Sequence, residues 1–273
     1  MSARFKSLLQ GAVFAASLMV VGIAQAQAPN PLRVGVRAGP DELIWEVVTQ
    51  EAKKSNLNVE VVVLASNVAP NEALNNGDLE ANSFQHIPFL RDQIKQRGYK
   101  LEIIGDTYIS PLAFYTKKAY KSLADLPEGA KVGIPNDPSN ETRALVVLRD
   151  AGLITLTEGF DPSRSTVSIN DVKSNPRKLE LVEIPSGVLA RSLEDIDVAG
   201  IPNSYAYGTA GLIASRDGIA VEKRENNPYV NVLVVREQDK NVPWARELLK
   251  AYQSEAVRKF IQHKFEGSVI PAF

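Results

Sequence analysis

The chain of 273 residues contains no cysteine and only two histidines. The absence of cysteine excludes a disulfide framework and also a lipidated cysteine after an export signal. Lysine and arginine together number 31 against 32 acidic residues, so the formal net charge is only −1. There is no basic stripe of the kind that binds nucleic acid or a membrane surface. The expected partner is therefore a small molecule or another protein.

The sequence also lacks the short motifs of common hydrolases and nucleotide-binding enzymes. No Gly-x-Ser-x-Gly elbow, phosphate loop or His-Glu-x-x-His element occurs, and His86 and His263 are the two imidazoles available. A pair of catalytic carboxylates stays open, because acidic residues are plentiful and their spacing alone does not place them. We predict a binding protein with no catalytic residue, no metal ligand and no cofactor, and keep a hydrolase-like enzyme as the alternative.

The N-terminus has the pattern of an export signal. Arg4 and Lys6 precede a mostly apolar run over residues 8–23, and Ala24-Gln25-Ala26 follows. We predict a signal peptide over residues 1–26, cleaved after Ala26 or two residues later. A membrane anchor is the alternative, which the short apolar run disfavours. The mature protein is expected to be soluble in a bacterial periplasm and, without cysteine, not lipid-anchored.

Beyond the signal, strand-like and helix-like segments alternate along the chain. The first round places strands at 32–36, 59–64, 79–84 and 101–108, with helices at 41–55, 69–75 and 89–97. The pattern restarts with a strand at 131–134, and its later elements are a helix at 143–151, a strand at 179–184, a helix at 188–193, strands at 198–201 and 229–235, and a long closing helix at 244–260. Such alternation predicts an α/β fold around a largely parallel sheet, and the restart predicts a second lobe.

We assign residues 32–112 and 204–273 to lobe 1 and residues 113–203 to lobe 2. The backbone is expected to cross between the lobes near residues 110–113 and again near 201–203. Ligands of open α/β sheets bind at the carboxyl ends of the strands, so two such lobes facing each other form a cleft. Hinge closure over a small ligand is the motion expected of this geometry.

Residues 136–143 are predicted to form a strand-to-helix turn, because an apolar run precedes them and a periodic helix follows. Such a turn aims backbone N–H groups and the positive end of the helix dipole at one spot. With Asn140 inside it and Arg143 in the first helical turn, the segment could receive a carboxylate. A capped helix with a solvated arginine is the ordinary alternative.

A second set of candidates lies at the end of the strand predicted at 79–84. Phe84, His86 and, one turn further on, Phe89 could supply an apolar wall with one polar handle for a side chain of medium size. A structural histidine and core phenylalanines are the alternative.

Further candidates lie near the predicted crossings. Tyr108, Phe114 and Tyr115 stand at the first crossing, where aromatic residues are often only packing. Asn203 and Asn231 follow apolar strands, and an asparagine there can accept a hydrogen bond from an ammonium group. As turn formers, both would be unremarkable.

Several blocks of this sequence carry a resemblance to a known family. The chain resembles the NlpA/MetQ family of methionine-binding substrate-binding proteins of bacterial ABC importers over essentially all of its mature length. The matching blocks are Val34-Gly35-Val36 with Gly39-Pro40, residues 70–74, residues 81–86, residues 97–101, residues 135–140 with Arg143, and residues 228–231. Their order and number make chance similarity very unlikely.

The resemblance implies a two-lobed periplasmic-binding-protein fold of type II with the ligand between the lobes. It implies that Arg143 holds the ligand carboxylate and that Asn203 and Asn231 hold the α-amino group. The residues expected to enclose the side chain or complete the site are Phe84, His86, Phe89, Tyr108 and Asn140. The implied partners are an amino-acid ligand and the permease and ATPase of an importer, with the receptor itself a monomer.

Three departures from the family pattern limit this transfer. There is no cysteine to carry a lipid, Phe89 stands where the family often has tyrosine, and Glu141 lies where small or apolar residues are usual. If Glu141 faced the cleft, it would disfavour a carboxylate. Methionine is the ligand that the resemblance implies. Because of these departures, another amino acid, a derivative or a short peptide stays open. A sensor or adhesin without a transporter is a further alternative on the same fold.

Overall fold

The computed structural model describes residues 28–64, 69–162 and 164–273, so the predicted signal peptide at 1–26 lies outside the described residues. In chain order the strands are β1 (Leu32–Arg37), β2 (Val59–Leu64), β3 (Ala81–His86), β4 (Leu101–Ile109), β5 (Leu112–Tyr115), β6 (Lys131–Pro135), β7 (Thr155–Leu156), β8 (Val172–Ser174), β9 (Glu180–Ile184), β10 (Val198–Pro202), β11 (Ala220–Val221), β12 (Val230–Arg236) and β13 (Ile270–Pro271). The α-helices are α1 (Pro40–Lys53), α2 (Pro70–Asn76), α3 (Ile87–Arg97), α4 (Pro138–Asp150), α5 (Ser186–Ser192), α6 (Asn203–Ala210), α7 (Ala214–Asp217), α8 (Pro243–Tyr252) and α9 (Glu255–Lys264).

The first of two larger sheets has six strands in the order β13-β4-β12-β3-β1-β2. Strands β1, β2 and β3 run parallel, whereas β12, β4 and β13 pair antiparallel. Helices cover both faces, since Trp45 of α1 and Tyr252 of α8 belong to one core cluster and Leu74 of α2 and Leu90 of α3 to another. An apolar residue at every second position of β1 explains why its inner face packs on α1.

The second sheet has five strands in the order β11-β5-β10-β6-β9. Leu112 and Phe114 of β5 pack in the cluster that contains α4, while Ala113 and Tyr115 pack in the cluster that contains α5 and α6. This period of two places apolar residues on both faces of a central strand. Strands β6, β9 and β10 are parallel to one another, and β5 pairs antiparallel with both β10 and β11. Both sheets are therefore mixed, whereas we predicted a largely parallel one.

The chain passes between the sheets at two short segments that differ in part from prediction. The first, residues 110–111, joins β4 to β5 and lies where we expected a crossing. The second is residues 222–229, between β11 and β12, and not residues 201–203. Our lobe assignment placed β11 in lobe 1, yet β11 extends the second sheet by pairing with β5. A strand of two residues has too little apolar pattern to be seen in the sequence.

Two helix boundaries also correct the predictions. Helix α4 begins at Pro138, because the Asp137 side chain caps it by accepting a hydrogen bond from the backbone N–H of Asn140 at 3.0 Å. Most of the predicted turn at 136–143 is therefore already helical. The closing helix predicted at 244–260 is two helices, α8 and α9, and Ser254 caps the second by accepting from Val257 N–H at 3.4 Å. Within residues 28–64, 69–162 and 164–273, no helix has the length and apolar character needed to span a bilayer.

Candidate functional site

A cavity lies between the two sheets at the carboxyl ends of their parallel strands. It encloses about 450 Å³ of space between the protein atoms, part of it open to solvent. The described residues that line it are Phe84, Gln85, His86, Phe89, Tyr108, Ser110, Asn140, Arg143, Pro202, Asn203, Ser204, Tyr205 and Asn231. All eight residues that we predicted to bind the ligand are among them.

Chain topology explains why these distant residues meet. His86 ends β3 and begins α3, Asn203 follows β10 as the first residue of α6, and Tyr108 is next to the end of β4. We predicted that Asn231 follows a strand, but it lies near the start of β12. Because β12 runs antiparallel to β3, Asn231 stands opposite His86, at the same edge of the sheet.

Arg143 is buried, with 2% of its surface exposed, and its guanidinium faces the cavity. Its Nε donates to Glu222 Oε1 at 3.0 Å, and its Nη2 donates to Glu222 Oε2 at 2.5 Å and to the Ser110 carbonyl at 2.9 Å. The guanidinium carbon also lies 4.6 Å from the centre of the Tyr229 ring. Arg143 therefore contacts both segments that join the sheets, and the alternative of a solvated arginine is excluded.

The hydrogen bonds of Arg143 determine what it can offer a ligand. Besides the bonds of Nε and Nη2, its Nη1 donates to Asn140 Oδ1 at 3.2 Å. A guanidinium has five N–H groups, so one N–H of Nη1 has no acceptor among the described residues. Burial by itself would lower the pKa of Arg143, but the charge and hydrogen bonds of Glu222 raise it above the ordinary value. Arg143 can thus give a carboxylate one charge-assisted hydrogen bond.

Asn140 joins the two sheets through His86. The His86 Nδ1 accepts from the backbone N–H of Phe89 at 3.1 Å, which puts the ring proton on Nε2. Nε2 then donates to Asn140 Oδ1 at 3.1 Å, and the Asn140 Nδ2 donates to the Asp137 carboxylate at 3.0 Å. With Arg143 as its second donor, the Asn140 oxygen is fully used, so Asn140 orients its neighbours rather than offering free groups to a ligand.

His86 is a buried neutral group at neutral pH. Burial, and then the nearby charge of Arg143, lower the pKa of His86 to about 3. Its polar edge is occupied by Asn140, and its ring packs edge-on against Tyr229 with centroids 5.1 Å apart. Within the cavity it contributes a wall and a fixed hydrogen bond rather than a charge.

The burial of His86 predicts a pH dependence of stability. In the unfolded chain the imidazole titrates near 6.5, so between that pH and about 3 the unfolded state binds a proton that the folded state does not. Unfolding then becomes easier as pH falls, by up to about 1.4 kcal/mol per pH unit. We expect the variant His86→Gln to lose this part of the slope in urea unfolding measured between pH 7 and pH 4.

The matched control for this measurement is His263→Gln, because the His263 side chain is exposed on α9. Wild type and the control should show the same slope of unfolding free energy against pH. Parallel curves for wild type and His86→Gln would contradict the assignment of His86 as a buried neutral group.

Asn203 is a polar side chain of the cavity lining whose amide the other described residues leave unpaired. It is 1% exposed, and neither its Oδ1 nor its Nδ2 has a hydrogen-bond partner among the residues that the structure describes. Leaving a buried amide unpaired costs about 1 to 3 kcal/mol, so such groups are rare unless a ligand or water completes them. An amide offers one acceptor and two donors, which suits a ligand carrying both charges of an α-amino acid.

Aromatic side chains form the apolar wall of the cavity. The rings of Phe84 and Phe89 meet edge to face with centroids 6.2 Å apart, and the Arg37 guanidinium lies 5.5 Å from the Phe84 ring. Tyr205, which we did not predict, is a further aromatic residue of the lining. Together they give the cavity an aromatic wall.

Tyr108 reaches the cavity, but its hydroxyl points away to a buried carboxyl. The hydroxyl donates to Asp41 Oδ1 at 2.6 Å, and burial raises the pKa of Asp41 to about 7. Phe114 and Tyr115 are not in the lining, and they pack on opposite faces of β5 in the core of the second sheet. Both residues therefore have a packing role, which was the alternative given for them from the sequence.

Glu141 lies outside the cavity lining. Its Oε1 accepts from the backbone N–H of Ile169 at 2.7 Å, and it is 4% exposed. Burial raises the pKa of Glu141 to about 7. The repulsion of a ligand carboxylate that we considered therefore does not arise from this residue.

Glu222 is the most important residue that the sequence did not indicate. It follows β11, a strand of two residues, and reaches Arg143 across 79 positions of sequence. No local signal marks it. Ser110 and Pro202, by contrast, could have been found, because both adjoin the ends of strands that we predicted. Over the described residues, no group of three or more acidic or imidazole side chains is arranged to hold a metal ion.

Comparison with known families gives one match. Residues 32–273 match the family model described as NlpA lipoprotein. The D-methionine-binding lipoprotein MetQ of Escherichia coli K12 is 40% identical over 273 residues, which cover 99% of each chain. A probable D-methionine-binding lipoprotein MetQ of Vibrio cholerae is 40% identical over 267 residues, which cover 97% of each chain.

Solved structures similar to this one include methionine-binding proteins. A nutrient-binding protein from Burkholderia cenocepacia bound to methionine superposes with a TM-score of 0.84 at 47% identity, over 89% of this chain and 100% of the other. The methionine-binding protein MetQ superposes with a TM-score of 0.83 at 41% identity, over 89% of this chain and 98% of the other.

Proposed function

The chain belongs to the NlpA lipoprotein family, and from this membership and the geometry of the cavity we propose that it is an extracytoplasmic substrate-binding protein that captures methionine and delivers it to an ABC importer. The observation that carries the proposal is the unpaired amide of Asn203 in the same cavity as the free N–H of Arg143. An α-amino acid brings a carboxylate and an ammonium group fixed to one carbon. The carboxylate could accept from the free N–H of Arg143, and the ammonium group could donate to the Asn203 amide.

In the proposed complex, Arg143 donates from Nη1 to the ligand carboxylate. The side chains of Asn203 and Asn231 accept hydrogen bonds from the ammonium group. Asn140 orients His86 and Arg143, both of which it contacts.

The thioether chain would lie against the aromatic residues of the first sheet. Phe84, His86, Phe89 and Tyr108 all face the cavity from that side. Sulfur makes favourable contacts with aromatic rings, and an unbranched chain adapts to an irregular apolar wall. Phe89 has no hydroxyl group, so recognition of the side chain rests on shape and apolar contact rather than on a hydrogen bond.

We propose that the two sheets with their covering helices are the two lobes of the receptor. They are joined at residues 110–111 and 222–229. The His86–Asn140 hydrogen bond passes from one to the other beside the cavity, so closure and ligand enclosure would occur together.

We propose that the chain acts in the periplasm without a lipid anchor. Relatives are named lipoproteins, but the 273 residues here include no cysteine to carry a thioether-linked lipid. Recovery of the protein in the soluble periplasmic fraction after osmotic shock would support this, and recovery in the membrane fraction would contradict it.

Titration calorimetry of the mature protein with the two enantiomers of methionine tests the proposal. The sample is first unfolded and refolded to remove any ligand bound during expression. We expect saturable binding of methionine at one site per chain, with weaker binding of leucine, glutamine and lysine. No binding of either enantiomer, together with binding of another amino acid, would overturn the choice of methionine. If none of the amino acids tested bound, the assignment as an amino-acid receptor would be overturned.

A further inference from the structure

A buried carboxylate stands directly behind the guanidinium of the cavity. Glu222 is 7% exposed and outside the cavity lining, and both of its oxygens accept hydrogen bonds from Arg143. Its Oε2 also accepts from the backbone N–H of Leu112 at 3.1 Å, and its own backbone N–H donates to the Leu112 carbonyl at 2.9 Å. The carboxylate is thus held by both its side chain and its backbone.

This pairing cancels the charge of the site. Arg143 is the charged side chain among the thirteen described residues around the cavity, since His86 is neutral. Glu222 offsets its positive charge at hydrogen-bond distance. One layer further out, Asp137 lies behind Asn140 and Arg37 behind Phe84, with opposite charges, and the buried Asp41 carboxyl, whose pKa burial raises to about 7, lies behind Tyr108. At the Arg143–Glu222 pair, the cavity therefore offers hydrogen bonds to a carboxylate without offering a net charge.

We propose that Glu222 is a specificity-determining residue, which makes the cavity select ligands of zero net charge, the zwitterionic amino acids, over carboxylic acids that lack an ammonium group. The inference rests on the proposed function, because it concerns the ligand class of the same site. Glu222 does not touch the ligand, and it acts by setting the electrostatic field in which the ligand binds.

The physical reason is the cost of desolvating an unbalanced charge. An anion entering a buried site gives up its hydration and is repaid only if the site carries a positive charge. The Arg143–Glu222 pair is electrically neutral, so a lone carboxylate receives a hydrogen bond but little net attraction. A zwitterion brings its own balancing charge. Because its two charges cancel, a change in the electrostatic potential of the cavity alters the binding free energy of a zwitterion much less than that of an anion.

The test compares two ligands that differ in a single group, methionine and its analogue without the ammonium group. The measured quantity is the ratio of their dissociation constants, in wild type and in Glu222→Gln. Removing the negative charge leaves the cavity with the unbalanced charge of Arg143. The anion should then gain on methionine by about tenfold or more. If Glu222 only holds Arg143 in position, both ligands should weaken together and the ratio should not change, which would overturn the inference.

Two further variants complete a charge cycle. Arg143→Gln leaves the cavity with one negative charge. The ligand compared with methionine in this arm is its analogue that lacks the carboxylate, and this cation should gain in affinity relative to methionine. The double variant, with glutamine at both positions, also lacks the Arg143 donor but is neutral again, so its shift should be smaller than that of Arg143→Gln. This arm decides the question even if Glu222→Gln does not fold, because Arg143→Gln and the double variant test the same charge balance. A shift of equal size in the double variant and in Arg143→Gln would contradict the inference.

The control for overall protein charge is Glu180→Gln, which removes an exposed carboxylate of the second sheet that pairs loosely with Lys131 at 3.9 Å. Its ligand ratio should equal that of wild type. Wild type that binds no methionine would overturn the proposed function, whereas methionine binding with an unchanged ratio in Glu222→Gln overturns the charge inference alone.

Discussion

Replacing Arg143 with alanine is expected to weaken methionine binding by at least about a hundredfold and to destabilise the protein at the same time. The variant removes the donor to the ligand carboxylate. It also leaves the Glu222 carboxylate buried without its partner, a change that typically costs about 3 to 5 kcal/mol of unfolding free energy. The stacking contact with Tyr229 is lost as well. Both losses follow from one side chain, because Arg143 serves the ligand and the joining segments together.

Urea unfolding and titration calorimetry measure the two effects separately. The matched control is Arg149→Ala in the same helix, where a partly exposed pair with Asp150 contributes at most about 1 kcal/mol. The double variant Arg143→Ala/Glu222→Gln should recover part of the stability without recovering methionine affinity, since no buried charge is left unpaired. Methionine affinity within threefold of wild type in Arg143→Ala would disprove the carboxylate assignment.

Replacing Asn203 with alanine is expected to separate binding from stability. The amide has no hydrogen-bond partner among the described residues, so its removal should leave the unfolding free energy unchanged or slightly higher. Methionine affinity should fall by about tenfold to a hundredfold, the scale of a hydrogen bond to a charged group. A residue that is costly to bury and useful only with ligand present is the signature of a binding site.

The contrasting variant is Asn140→Ala, whose side chain bonds to Asp137, His86 and Arg143. That variant should lose stability as well as affinity. Thermal unfolding with and without methionine distinguishes the two, since ligand stabilisation should shrink in both but the ligand-free midpoint should fall only for Asn140→Ala. A ligand-free midpoint that falls by several degrees in Asn203→Ala would show that Asn203 has a structural role.

The family and the choice of a binding protein over an enzyme were predictable from sequence, and the family model and relatives confirm both. The α/β fold with paired sheets followed from apolar periodicity, which reports local structure well. Two blocks that carried the resemblance, residues 70–74 and 81–86, have a clear structural cause. The buried amides of Asn71, Asn82 and Gln85 hydrogen-bond one another and fasten α2 to β3, which ends in His86.

Features that depend on distant partners were not predictable. Glu222 matters because of a residue 79 positions away, and β11 is too short to show a period. The division between α8 and α9 was missed for a different reason. The apolar spacing continues through it, and a lone serine at 254 is a weak cap signal beside that pattern. The eight predicted site residues share one cavity, and their contact with a ligand stays a prediction for the variants above to test.

The distribution of the lining residues between the two sheets has a consequence for the kinetics of capture. Arg143 and Asn203 follow strands of the second sheet, whereas Phe84, His86 and Phe89 belong to the first. Two of the three groups suited to the α-carbon substituents shared by all amino acids, Arg143 and Asn203, are thus on one side, and Asn231 faces them from the first sheet together with the groups that contact the variable side chain. An amino acid can dock on the second sheet before its side chain is sensed. Different amino acids should therefore associate at similar rates, and the cognate one should be distinguished by how slowly it leaves.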